Sequence, residues 1–369
     1  MRRPPLLALL AALVALTVAP VAASASSGTK GGKGPLRMNH VQARGSHNST
    51  HQDHNGSLPG VPPWDYSHPA LDVQLEEQGV RQVELDLHFN WARDDIEVYH
   101  VWFADDRSSC TLLRDCLALI RSWSDAHPGH HPLLVLLEPK DGPLEDEDPF
   151  TRPFGTYEYQ RLDEILREVW PDRVVTPDSV TGRGTTLRQS IVERGWPKLA
   201  DVRQHVTFLI DGDDHGTAYS NGYTSLAGRM SFVQAPEESP VAAFVGRGGG
   251  SGKYDRMSRL VAQGFMVRDL AGDPRAALAA GAHYISNDTP TMSAYDDAGM
   301  RPSRCNPVTT LDVSCTAEAI ETHAHRDGYA TSGTVSGDDP AAVIGDKVDR
   351  LVVRSATAAA DAVTNGRQP

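Results

Sequence analysis

Short apolar runs alternate with amphipathic segments along most of the chain. Val80 to Leu87 alternates strictly, with Val83, Leu85 and Leu87 on one face and Glu84 and Asp86 on the other, which predicts a strand. Pro132 to Leu137 and Val206 to Ile210 are continuous apolar runs of strand length, the pattern of parallel strands buried on both faces. Further strands are predicted from Val41 into the Gly45 turn, over Ile96 to Phe103 as the return arm of a hairpin, and over Met230 to Gln234, Phe265 to Val267 and His283 to Ser286. Cys110 to Ala126 carries Leu112, Leu113, Cys116, Leu117, Leu119, Ile120 and Trp123 at helical spacing. Helices are also expected over Leu71 to Glu77, Tyr157 to Trp170, Leu187 to Glu193, Tyr254 to Gln263, Arg275 to Ala280 and Val343 to Ala360. The stretches His51 to Pro63, Gly142 to Pro153 and Gly246 to Gly252 have loop composition.

Strands alternating with helices imply a mostly parallel sheet, and at least seven strands favour an α/β fold of the (β/α)8 TIM-barrel type, closed or nearly closed. No G-x-G-x-x-G follows the first strand, which disfavours an open doubly wound sheet. Residues 1–25 have a basic start at Arg2 and Arg3, an apolar core from Leu6 to Val18 and a small-residue exit at Ala23-Ser-Ala25, the form of a secretory signal peptide. Residues 26–38 read as a flexible Ser/Gly/Lys-rich leader, and 39–369 as one catalytic barrel domain with a C-terminal extension. No later stretch is apolar for the length of a membrane span, so the expected product is secreted.

The net charge of −13 becomes −15 once Arg2 and Arg3 are removed with the signal peptide. That balance argues against a nucleic-acid partner and against adhesion to anionic membranes by charge alone, and it suits a cation cofactor. Nothing in the pattern points to an obligate protein partner. The four cysteines pair by proximity as Cys110 with Cys116 and Cys305 with Cys315, two local staples suited to an exported chain.

Polar residues gather at one end of the predicted strands. His47 and Asn48, Glu84 and Asp86, Glu138, Asp211 and Arg268 all fall at C-terminal ends, where barrel enzymes assemble their sites. Two carboxylates on one face of a strand covered on both sides need a partner or a metal. Asn48, Glu84, Asp86 and Glu138 are oxygen donors of the hard type that Ca2+ selects, with no thiolate among them. Histidines beside such an ion suit acid/base work near neutral pH, and transfer at a phosphodiester uses both.

In order and spacing, Gly45-Ser-His-Asn-Ser49, Gly79-Val-Arg-Gln-Val-Glu-Leu-Asp86, Val98-Tyr-His100 and Leu137-Glu-Pro-Lys140 resemble the calcium-dependent phosphatidylinositol-specific phospholipase C family, in its secreted bacterial branch. The likeness is most specific from about Asn39 to Asp141 and extends with weaker motifs to Asp288. It implies cleavage of phosphatidylinositol in a membrane surface to diacylglycerol and inositol 1,2-cyclic phosphate, or inositol 1-phosphate. His47 would stabilise the pentacoordinate phosphorus and His100 would protonate the departing oxygen. Asn48, Glu84, Asp86 and Glu138 would hold Ca2+, with Glu84 or Glu138 as general base. Lys140 would meet a phosphate oxygen, and Arg268 or Asp211 the inositol hydroxyls. His88 is the alternative to His100, which the Val-Tyr-His context favours. A glycerophosphodiester phosphodiesterase is the nearest rival, but such enzymes follow the first histidine with arginine where this chain has Asn48. A secreted barrel that binds without turnover is a further alternative, against which the complete His47/His100 pair speaks. Asn48-Ser-Thr50 also has the form of a glycosylation acceptor.

Overall fold

In a computed structural model of the chain, the structure describes residues 34–53, 64, 66–141, 148–246, 251–300 and 302–321. The signal peptide, most of the leader, the loop tip at 247–250 and the helix expected over Val343 to Ala360 lie outside these residues.

Among the described residues, eleven strands form one sheet. They are β1 (Val41–Ser46), β2 (Gln82–Asn90), β3 (Asp95–Val98), β4 (Leu133–Pro139), β5 (Thr151–Arg152), β6 (Val206–Ile210), β7 (Ser231–Ala235), β8 (Phe244–Val245), β9 (Arg268–Leu270), β10 (Tyr284–Asn287) and β11 (Ser303–Cys305). The main path runs β8-β7-β6-β4-β2-β1-β10-β9, all parallel. Met266, just ahead of β9, meets β8 in a parallel bridge at Phe244. Its carbonyl accepts from Val245 N at 3.1 Å and its N–H donates to Ala243 O at 2.9 Å, which brings the two ends of the path together. The result is the expected eight-stranded TIM-type barrel. β3 and β5 pair antiparallel with the C-terminal part of β2, and β11 pairs antiparallel with β1.

Helices Leu71–Glu76, Leu113–Ala126, Thr156–Val169, Asp213–Tyr219, Lys253–Ala262 and Pro274–Ala280 connect successive barrel strands. The amphipathic reading of Leu113–Ala126 holds, with Leu113, Cys116, Leu117, Ile120 and Trp123 buried. Both predicted disulfides are present, with Cα separations of 5.6 Å for Cys110–Cys116 and 5.9 Å for Cys305–Cys315.

The sequence pattern missed β8, and β7 connects to it without a helix. A segment from earlier in the chain covers that gap. The helix Leu187–Arg194 docks through Arg188, whose N–H donates to Pro240 O at 3.0 Å and whose Nε donates to Glu237 O at 2.7 Å. Trp196 follows it, fully buried, with its ring 5.6 Å from that of Phe232 and 5.4 Å from that of Phe244. Other differences are local. A helix not expected from the sequence begins at Asp213, and Arg268 begins its ladder instead of ending the run Phe265 to Val267. Residues 34–38, read as the end of a leader, are held to the fold: Leu36 O accepts from Leu199 N at 2.9 Å and Met38 N donates to Pro197 O at 3.1 Å.

Strand β1 shows what a barrel wall demands. All six of its residues are buried although two are Gln42 and Arg44. Gln42 donates to the carbonyls of Leu278 and Ala282, and Arg44 pairs with Asp296 at 3.1 Å. Gly45 permits close approach of the next strand, because a Cβ there would collide with the side chain of Gln82.

Candidate active site

Strand β2 is buried at every position, so its alternation commits Glu84, Asp86 and His88 to the face opposite Val83, Leu85 and Leu87. Its register with β4 sets Asp86 beside Glu138. Oxygens of Glu84, Asp86 and Glu138 thereby come within 4.8 Å of one another at the C-terminal end of the barrel. Burial pushes the Glu84 carboxyl well above its ordinary range, with Arg268 pulling the other way, and burial likewise raises Asp86 against the pull of Lys140. Burial acts in the same sense on Glu138, but the charge and hydrogen bond of Lys140, together with hydrogen bonds from Glu84 and Asp86, prevail and hold that carboxyl at about 2. Lys140 Nζ stands 2.8 Å from Asp86 and 3.0 Å from Glu138.

Arg268 closes the other side of the cluster. Its guanidinium pairs with Glu84 and lies 3.7 Å from Asp211, which in turn accepts from Gln234. The residues named from sequence for phosphate and inositol contact, Lys140, Arg268 and Asp211, therefore sit in the same charged assembly as the carboxylates.

His47 and Asn48 occupy the turn after β1. Ser49 ties that turn to β2: its N–H donates to Glu84 O at 2.9 Å and its Oγ accepts from Glu84 N at 2.7 Å. Asn48 adopts a left-handed conformation with φ of 44°, which asparagine tolerates better than most residues. Its side chain is buried, at odds with a glycosylation acceptor, and its Nδ2 donates to the Tyr66 hydroxyl at 3.1 Å while its Oδ1 has no hydrogen-bond partner. A buried carbonyl oxygen left without a donor, in the turn that Ser49 ties to the Glu84 backbone, fits a hard cation. The donor set thus suits calcium.

The two histidines share one arrangement. His47 Nδ1 is 2.6 Å from Asp288 Oδ1, and its Nε2 lies 3.9 Å from Glu84. His100 Nδ1 is 2.6 Å from Asp105 Oδ2. In each case Nδ1 is anchored by an aspartate. His88 is placed differently: its Nε2 faces the Tyr99 carbonyl at 2.9 Å, its ring stacks on Tyr99 at 3.7 Å, and burial lowers it to about 3.

Asp288, Asp105, His51 and Tyr66 were not assigned roles from sequence. Only Asp288 carried a signal, as a carboxylate just beyond the last barrel strand. Tyr66 and His51 lie in or beside a stretch with loop composition, and Asp105 is one acidic residue among several.

A profile of the family described as phosphoinositide phospholipase C, Ca2+-dependent, matches residues 36–95 and 88–298. The chain belongs to this family. It is a phosphoinositide phospholipase C, and calcium is its cofactor. No curated protein sequence matches it. Among solved structures, the enzyme is similar to an apo calcium-dependent phosphoinositol-specific phospholipase C from Pseudomonas sp., with 17% identity, a TM-score of 0.52, and coverage of 73% of this chain and 95% of that one. The same Pseudomonas enzyme in a myoinositol complex gives 17% identity, a TM-score of 0.52, and 73% and 96% coverage. A calcium-dependent phosphatidylinositol-specific phospholipase C from Streptomyces antibioticus gives 19% identity, a TM-score of 0.51, and 69% and 96% coverage. At these identities the likeness establishes the barrel fold.

Proposed function

We propose that the enzyme is exported and cleaves phosphatidylinositol in a membrane surface to diacylglycerol and inositol 1,2-cyclic phosphate, or onward to inositol 1-phosphate. The observation that carries this reading is the pair of histidines, each held at Nδ1 by an aspartate, beside one cluster of Glu84, Asp86 and Glu138. Asn48, Glu84, Asp86 and Glu138 would hold the calcium ion. When bound, the ion supplies positive charge that favours deprotonation of an attacking hydroxyl and offsets charge on phosphoryl oxygens.

The residues then divide the work. The inositol 2-hydroxyl forms a bond to phosphorus as its proton passes to Glu84 or Glu138. His47, anchored by Asp288, donates from Nε2 to a phosphoryl oxygen as charge builds there. The bond from phosphorus to the glycerol oxygen breaks, and His100 Nε2 delivers the proton that the departing oxygen takes up. Arg268 and Asp211 would meet the inositol hydroxyls, and Lys140 a phosphoryl oxygen.

Exposed aromatic side chains on the same end of the barrel support a bilayer substrate. Phe103, three residues after His100, is 79% exposed, and Trp91 and Phe150 at the outer end of the β2–β3–β5 extension are 52% and 56% exposed. Among the described residues no helix is long and apolar enough to cross a membrane.

The test is to incubate purified protein with phosphatidylinositol vesicles, in calcium and in chelator, and to follow the phosphorus products by NMR. Calcium-dependent appearance of a cyclic phosphodiester is expected. Equal rates in chelator, or turnover of glycerophosphoinositol without turnover of the lipid, would overturn the reading.

A further inference from the structure

His100 does not stand alone on Asp105. The same carboxylate receives His51, whose Nε2 is 2.9 Å from Oδ1 and 2.8 Å from Oδ2. His51 and Asp105 side chains are 0% and 2% exposed, so this is a built cluster rather than a surface encounter. His51 Nδ1 faces the Tyr66 carbonyl at 2.8 Å, and the Tyr66 ring stacks on the imidazole at 4.3 Å. The Tyr66 hydroxyl meanwhile receives the Asn48 amide. One continuous set of contacts therefore runs from Asn48 through Tyr66, His51 and Asp105 to His100.

The backbone holds this set in place. Val101 and Asp105 exchange N–H to carbonyl bonds of 3.0 and 2.8 Å, closing a tight turn that returns Asp105 beneath the ring of His100. On the other side, Ser109 N donates to Thr50 O at 2.8 Å and Gln52 N donates to Arg107 O at 3.2 Å, pinning the strip around His51 to the strip after Asp105. Trp64 packs edge-on against the His100 ring at 5.3 Å.

Hydrogen-bond inventory decides the tautomers. A carboxylate and a backbone carbonyl only accept, so both nitrogens of His51 act as donors. Asp105 is then an acceptor toward two imidazoles. Burial works to raise its carboxyl, but the hydrogen bonds from His100 and His51 prevail and hold it at about 2. His100 must carry its fixed proton on Nδ1, which makes Nε2 the nitrogen that gives and takes protons.

We propose that Asp105 is the positioning residue that fixes the ring and tautomer of His100, and that buried His51 locks Asp105 in that place. This rests on the reading of His100 as the acid. Because Asp105 also serves His51, it keeps its charge through turnover. His100 can then release a proton from Nε2 to the glycerol oxygen and afterwards accept one at the same atom from a water attacking the cyclic phosphate.

The experiment compares wild type with D105N, H51Q and H100A, reading kcat and KM on phosphatidylinositol and the His100 tautomer by 15N NMR of the imidazole. In wild type the neutral His100 ring is expected in the Nδ1–H form. D105N offers His100 an amide donor in place of an acceptor, and is expected to convert it to the Nε2–H form and lower kcat by on the order of 10²-fold with KM little changed. H51Q is expected to lower kcat by on the order of 10-fold, since Asp105 remains but loses its lock. A near-normal rate in H100A would overturn the acid reading itself. An inactive H100A together with a D105N variant of wild-type kcat and tautomer would overturn the positioning proposal alone. Should D105N fail to fold, the wild-type spectrum still decides, because a neutral His100 in the Nε2–H form contradicts the proposal.

Discussion

Strand β2 joins two regions built from the same residue types and put to opposite uses. Just before its N-terminal end, Arg81 directs Nε to both oxygens of Glu321 at 3.2 and 3.1 Å and donates to the carbonyls of Leu75 and Val80, with its guanidinium 4.6 Å from the Trp123 ring centroid. Nearby on this floor, His130 bonds Ser124, His131 bonds Ser303 and His283 bonds the Asn39 carbonyl, all three buried. Toward its C-terminal end, Glu84 and Asp86 crowd Glu138, and Asn48 Oδ1 is left without a donor. The floor pairs its charges, and so contributes to stability. At the mouth, like charges are held together at a cost, which is the mark of a site kept for a ligand.

Substitutions should separate the two ends. The largest effect is expected at the mouth: Glu84→Gln or Asp86→Asn should lower phosphatidylinositol cleavage by on the order of 10²-fold or more, because under the proposed mechanism each removes a charge that would hold the ion. The same variants should lose little stability without calcium, since the repulsion they relieve offsets the pairing with Arg268 or Lys140 that they remove. A parallel loss of stability and activity would erase the distinction between mouth and floor. At the floor, Glu321→Ala removes a buried carboxylate to which Arg81 donates, and should cost about 1.5–3 kcal/mol in urea unfolding, while the activity of the folded fraction stays near that of wild type.

Calcium should sharpen the contrast. At a concentration one hundred times its Kd, it should stabilise wild type by about 2.7 kcal/mol and leave Glu84→Gln far less stabilised. Thermal shifts with and without chelator measure both. The floor responds instead to protons. Burial lowers His130, His131 and His283 to about 3, below their unfolded value of about 6.5, so the unfolded chain takes up protons first as pH falls. Their contribution is whole above about 6.5 and is lost between there and 3, by at most about 1.4 kcal/mol per pH unit for each histidine. Urea midpoints measured from pH 7.5 to 5 should stay level at first and then fall, and a rise on acidification would contradict the assignment. The smallest effect is expected at the rim: Phe103→Ala should weaken vesicle binding by about 1 kcal/mol, with turnover of a soluble inositol phosphodiester unchanged.

What could be read in advance follows a physical boundary. The carboxylates of β2 were legible because alternation has a period of two and cannot be satisfied any other way in a strand whose other face is apolar. The buried run ending at Glu138 was legible for a related reason, since charge appears only where the apolar stretch stops. The short β8, two residues long by its pairing, left too little periodicity to register. The helix Leu187–Arg194 was visible as a helix, but its place over β7 and β8 was not.

The sequence by itself determined most of the order of strands and helices, the two local disulfides, the shared face of Glu84 and Asp86 on β2, and the placement of His47, Asn48 and Glu138 at or beside strand ends. These are short-range consequences of residue spacing, written in periods of two and 3.6. The tertiary structure alone decided which charges meet. His47 finds Asp288 across 241 positions, Arg268 finds Glu84 across 184, and Arg81 finds Glu321 across 240. No periodicity encodes such pairs, because barrel closure and register, rather than any local propensity, bring the partners within reach. The His51–Asp105–His100 cluster belongs to the same class: each residue is ordinary in its own stretch of chain, and only the packing of two loops makes them one device.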